Sequence, residues 1–226
     1  MEGPPERNIE NTITPFPAFM RVMANFISVL LHPLFIPLYA TFFLMGSQPI
    51  QFADFSGRAK WAILLPVIEN TIILPLAVVL LCKPLGFIGS VQLKTQKDRI
   101  IPYAATMIFY YWLFRVSTYH SADHEQFPAL LCVFLLGNFI SVILAFLANI
   151  ALKVSLHALG MGAVLGVMIH LVNDPYFNVS VALIAAICLT GLVATARLIL
   201  SAHRAREIYL GLLIGLIAQL MAVLFF

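Results

Sequence analysis

His203 and Glu207 stand four residues apart, the spacing that places two side chains on one face of a helix. A carboxylate so placed accepts the proton of one imidazole nitrogen and leaves the other free as a nucleophile or base. Arg197 precedes His203 by six residues, off that face on a continuous helix. It can join the pair only if the chain turns within 199–206. A second cluster, Lys153-Val-Ser155-Leu-His157, opens another apolar run. A helix starting there offers unpaired N–H groups and the positive end of its dipole to an anion. A third cluster runs Lys94-Thr-Gln-Lys97-Asp-Arg99-Ile-Ile-Pro102. Its cations suit phosphate oxygens, and the planar arginine fork suits them best. The chemistry implied is the handling of phosphate.

The elements that must position these groups are apolar. The 226 residues are 62% hydrophobic and 10% charged, with mean hydropathy +0.97. Soluble domains carry about 25% charged residues, so lipid is the expected solvent. Helices are the expected spanning element, because lipid offers backbone groups no partners, and barrel-type alternation is absent. A net charge of +3 does not argue for nucleic acid. Cys82, Cys132 and Cys188 are scattered through apolar runs and propose no disulfide framework. Residues 1–21 read as a polar N-terminal tail and 22–226 as one transmembrane helical domain. The fold class expected is an all-α, polytopic transmembrane bundle of six to seven spans.

The apolar runs cover about 22–46, 61–82, 101–118, 127–152, 157–173, 178–198 and 207–226. The first contains Pro33 and Pro37 and should kink or split. Seven crossings put loops 83–100, 153–156 and 199–206 on one side, and all three clusters lie in or beside them. The side itself stays open. Loop Lys and Arg lean to the cytoplasmic face by the positive-inside rule.

The clusters resemble the motifs of the type 2 phosphatidic acid phosphatase superfamily: Lys-x6-Arg-Pro, Pro-Ser-Gly-His and Ser-Arg-x5-His-x3-Asp. Arg197, His203 and Glu207 keep the third spacing, with Ala196 for Ser and Glu for Asp. Ser155 and His157 keep half of the second, with Val154 and Leu156 for Pro and Gly. In the first, Arg99 aligns, Pro102 falls two residues late, and Lys94 is the nearest lysine to the position held by Gln92. The resemblance covers about 94–207. It implies that His203 attacks phosphorus to form a phosphohistidine, oriented by Glu207. His157 would protonate the leaving group, and Lys94, Arg99, Ser155 and Arg197 would hold the phosphoryl oxygens. It implies no metal and no cofactor, a lipid phosphate or diphosphate substrate entering from the bilayer, and an inner (cell) membrane, multi-pass location. It leaves the oligomeric state open. Many bacterial relatives act on the outer face, against the loop charges.

Other polar residues have plainer readings. Lys83, Arg204 and Arg206 suit headgroup contact. Glu69 and Asn70 lie mid-span, as a hydrogen-bonded packing pair or a functional group. His120, Asp123 and His124 have metal-like spacing, but lie on the other side and read as a solvated loop. Two further readings stand beside the phosphatase. One is a non-catalytic relative that binds or transports an anionic lipid or supports a partner complex. The other is a transporter using Glu69 and His170 as a proton relay.

Overall fold

A computed structural model describes residues 16–53, 57–93, 95–119, 127–175 and 177–226. These residues are all-helical, with no strand among them. In chain order the α-helices are α1 (Ala18–Leu30), α2 (Ile36–Ser47), α3 (Arg58–Ile68), α4 (Leu74–Cys82), α5 (Ile100–Thr118), α6 (Ala129–Ala151), α7 (Leu156–His170), α8 (Ser180–Ile199) and α9 (Ala205–Phe225). Arg58–Cys82, Ala129–Ala151, Ser180–Ile199 and Ala205–Phe225 are each long and apolar enough to cross a membrane. The outer surface is greasy, with Phe19, Trp112, Val181 and Leu224 all more than half exposed. Soluble monomers rarely show so much apolar surface, so this is the surface of a membrane protein.

The first apolar run splits as its prolines dictate. Proline cannot continue a helix, and the chain breaks over residues 31–35 before Pro37 enters the first turn of α2. Helices α3 and α4 form one rod joined by a π-turn, Glu69–Ile73, whose Leu74 N–H donates to the Glu69 carbonyl. Pro75 has no N–H to give, and the wider turn absorbs the mismatch. Asn70 and Thr71 donate to the carbonyls of Pro66 and Val67. Asn70 therefore packs within its own helix.

Small residues set the tightest contact. A Cβ on Gly211 would strike the Ser155 carbonyl oxygen, and one on Gly215 the Leu159 carbonyl. Gly162 and Gly166 sit equally close to Leu212 and Gln219. The order of these contacts makes α7 and α9 parallel, with the start of α7 about one turn below that of α9. Gly-x3-Gly on both helices permits this approach, as it does between membrane helices generally.

Candidate active site

Helix α8 ends in a Schellman turn. The Ala202 N–H donates to the Arg197 carbonyl at 3.1 Å and the Ser201 N–H to Leu198 at 2.9 Å, with Ser201 in the left-handed region at φ 49°. This sharp reversal is the turn that the six-residue spacing demanded. It brings Arg197, at the end of α8, and His203, just before α9, to one cavity.

His203 and Glu207 form the pair expected from their spacing, with Nδ1 and Oε2 2.7 Å apart. A carboxylate only accepts, so Nδ1 carries the hydrogen and Nε2 keeps its lone pair. The His203 side chain is 4% exposed. Burial pushes its pKa below the ordinary histidine value, and Lys153, Arg99 and Arg197 push the same way against the Glu207 bond. His203 is therefore a neutral imidazole at pH 7.

Arg99 is built in from the 83–99 loop. Thr95 and Asp98 make a reciprocal capping box: the Asp98 N–H donates to Thr95 Oγ1 at 3.1 Å and the Thr95 N–H to Asp98 Oδ2 at 3.3 Å. The Gly89 N–H also donates to Asp98 and is the main cause holding its carboxyl below the usual range. Gln96 and Asn149 exchange two bonds that tie the loop to α6. Arg99 is buried, donating from Nε to the Leu93 carbonyl at 2.9 Å and from Nη1 to that of Val154. Leu93 holds a strained left-handed φ of 50° to present that carbonyl.

The cavity measures about 410 Å³ and is lined by Arg99, His157, Arg197 and His203 at its polar end. Arg197 donates from Nη1 to Ser28 Oγ at 3.3 Å, while its buried Nε has no partner. His157 lies 2.9 Å from the Ser28 carbonyl through Nε2. Below them a mainly apolar arm, with Asn138 and Ser141 of α6 in its wall, runs past Tyr103 and Thr106 to Tyr110, about 16 Å along α5 from Arg99. Pro37 of α2 and Leu76, Val79 and Leu80 of α4 line its flank.

Comparisons with protein-family models, with curated proteins and with solved structures return no match.

Not every residue singled out by spacing reaches the cavity. Ser155 is fully buried and caps α7, its Oγ accepting the Ala158 N–H, and its own N–H goes to the Glu207 carbonyl; it does not line the cavity. Lys97 is exposed and away from it. Lys94, His120, Asp123 and His124 lie outside the described residues. Among the described residues, no group of three or more His, Cys, Asp or Glu side chains is placed to hold a metal ion.

Three participants were given no role by the motifs, although Lys153 opens the second cluster. Lys153 bridges the α6–α7 and α8–α9 turns by donating to the Ala202 carbonyl at 3.3 Å, and burial lowers its pKa most. Ser28 contacts both Arg197 and His157. His32 lines the cavity from the α1–α2 break. A histidine followed by the proline that ends an apolar run was the available hint for it.

Around His203, three cations stand against one carboxylate: Arg99, Arg197 and Lys153 against Glu207, with Arg99 and Arg197 lining the cavity itself. An anion with a long apolar substituent complements both ends of this cavity.

Proposed function

We propose that this chain is an integral, multi-pass membrane phosphatase acting on a lipid phosphate or diphosphate, similar in fold and mechanism to the type 2 phosphatidic acid phosphatases. The observation that carries this reading is the His203–Glu207 pair, opening onto the same cavity as Arg99 and Arg197. Glu207 holds Nδ1–H, and the Nε2 lone pair of His203 forms a bond to phosphorus as the P–O bond to the lipid breaks. Arg99 and Arg197 stabilise the charge on the equatorial oxygens. The leaving oxygen takes a proton from Nδ1 of His157, which acts in its protonated form, its Nε2–H staying on the Ser28 carbonyl. Water then attacks phosphorus and gives its proton to His157. The P–N bond breaks, releasing inorganic phosphate and restoring His203.

Acid-quenched enzyme given a radiolabelled lipid phosphate should carry the label on His203. His203→Ala should abolish turnover with the fold intact. Glu207→Gln should slow it about 10–100-fold, since Gln can still accept from Nδ1–H without the charge. A purified protein that releases no phosphate from a broad lipid panel would sink the reading. One observation favours the non-catalytic alternative, an anionic-lipid binder or carrier. Arg99 gives two of its donors to backbone carbonyls, the arrangement of a holding group. On that reading a lipid phosphate would bind without turnover, and His203→Ala would leave binding unchanged.

A further inference from the structure

The α1–α2 break carries a third imidazole into the cavity, and its hydrogen is fixed by the backbone. The Leu34 N–H donates to His32 Nδ1 at 3.3 Å. A backbone N–H can only donate, so Nδ1 holds the lone pair and Nε2 carries the hydrogen. His157 is committed differently. Its Nε2 faces the Ser28 carbonyl at 2.9 Å, which can only accept, so the one hydrogen of a neutral ring is already used. Neutral His157 has no N–H left for a ligand. The two rings meet edge to face, with centroids 5.3 Å apart and planes at 82°. The charge of Arg197 also bears on His32. His32 is half-buried and lines the cavity, in ring contact with the residue assigned to the leaving oxygen and within the field of one assigned to the phosphoryl oxygens.

We propose that His32 is a further catalytic residue, donating a hydrogen bond from Nε2–H to the oxygen that leaves phosphorus, beside the Nδ1–H that only the protonated form of His157 offers. The inference rests on the phosphatase reading above. Charge grows on the leaving oxygen only as the P–O bond breaks, so this bond strengthens in the transition state and acts on kcat more than on KM. The helix break is then a device for presenting one N–H, with the Leu34 amide holding the ring in its working tautomer.

Two substitutions separate this role from a structural one. His32→Asn places an amide oxygen near the Nδ1 position, keeping an acceptor for the Leu34 N–H and removing the far donor. His32→Gln reaches the Nε2 position with an amide N–H and gives up the near acceptor. Both would be assayed in the full chain in lipid nanodiscs, on an alkyl phosphate lipid and on an aryl phosphate whose phenol leaves readily. The Asn variant should lose about 100-fold in kcat on the alkyl substrate, with KM and unfolding temperature little changed. Its loss on the aryl substrate should be far smaller, because a good leaving group needs no donor. The Gln variant should recover most of the activity. An Asn variant with wild-type kcat, a Gln variant as impaired as Asn, or equal losses on both substrates would each overturn the proposal. A wild-type chain forming no phosphohistidine would overturn the phosphatase reading itself; an active wild type indifferent to His32→Asn would overturn this inference alone.

Discussion

The two flanks of the cavity are built in opposite ways. On one, α7 and α9 touch backbone to backbone through Gly162, Gly166, Gly211 and Gly215. On the other, the α1–α2 break and α2 contribute Pro33, Leu34 and Pro37 against Pro75, Leu76 and Val79 of α4, side chains around a space rather than helices in contact. The close-packed flank carries His157 at the start of α7 and the His203–Glu207 pair at the start of α9. The loose flank carries only apolar groups and His32. On the proposed reading, rigid main-chain contact holds the spacing of the reacting atoms, and an alkyl chain enters between surfaces that can give.

The largest break in this contrast comes from filling the glycine seam. Gly215→Leu would drive a side chain into the Leu159 carbonyl and the Ala163 amide, neither of which can move aside. Overpacking of this kind costs about 1–3 kcal/mol or more, and the variant should unfold well below wild type or fail to purify as one species. Gly191→Ala, facing open space in the middle of α8, is the control and should leave the unfolding temperature unchanged or raise it slightly. A Gly215→Leu protein of wild-type stability would show that the seam is not rigid.

Val79→Trp on the loose flank should act on binding alone. It should raise KM for a long-chain lipid phosphate roughly tenfold, the loss of one or two well-packed methylenes' worth of contact. Turnover of a short, water-soluble phosphate should stay as it was. Equal losses on both substrates would mean that α4 supports the chemistry as well as the alkyl chain.

A subtler measure is pH. The His203 pKa falls from 6.5 to about 4 in the folded chain, chiefly through burial. The groups facing it are Glu207, which opposes the shift, and Lys153, Arg99 and Arg197, which add to it. A proposed nucleophile at His203 must be neutral, so the acid limb of kcat/KM should lie well below 6.5, and activity at pH 5.5 should stay close to its pH 7 value. The stability consequence has a definite sign. Between 6.5 and about 4 the unfolded chain binds a proton that the folded chain refuses, so this group's contribution is lost as pH falls through that window. An acid limb near 6.5 would mean that His203 is far better solvated than its burial implies.

What could be read in the sequence was local. Four residues separate His203 from Glu207, and helical geometry alone pairs them. Pro33 and Pro37 announce the split of the first apolar run because proline lacks the hydrogen that a helix needs. Arg197 was legible only conditionally, since its place depends on Ser201 taking a left-handed conformation that nothing in the local residues demands. Ser155 was assigned to phosphate, yet its hydroxyl caps α7, a use that serines at helix starts share with anion sites. His32 and Ser28 were illegible as site residues because they lie well over a hundred residues from His157 in the chain and meet it only through tertiary packing.

The shortness of α7 carries a consequence for the depth of the cavity. Its 15 residues rise about 22 Å, against the roughly 30 Å of a hydrocarbon core, whereas the 21 residues of α9 nearly match it. In the proposed spanning arrangement, α7 begins a turn deeper than α9, so part of the deficit falls at the reacting end. From Leu156 to Met168 the side chains of α7 are buried or half-buried, so the neighbouring helices, not lipid, meet its short end. On the proposed reading, a phosphate headgroup must therefore descend inside the protein's own wall, about a turn below the start of α9, to reach His157. That recess is set by the glycine seam, so its depth is fixed by packing and stays the same in thin and thick bilayers.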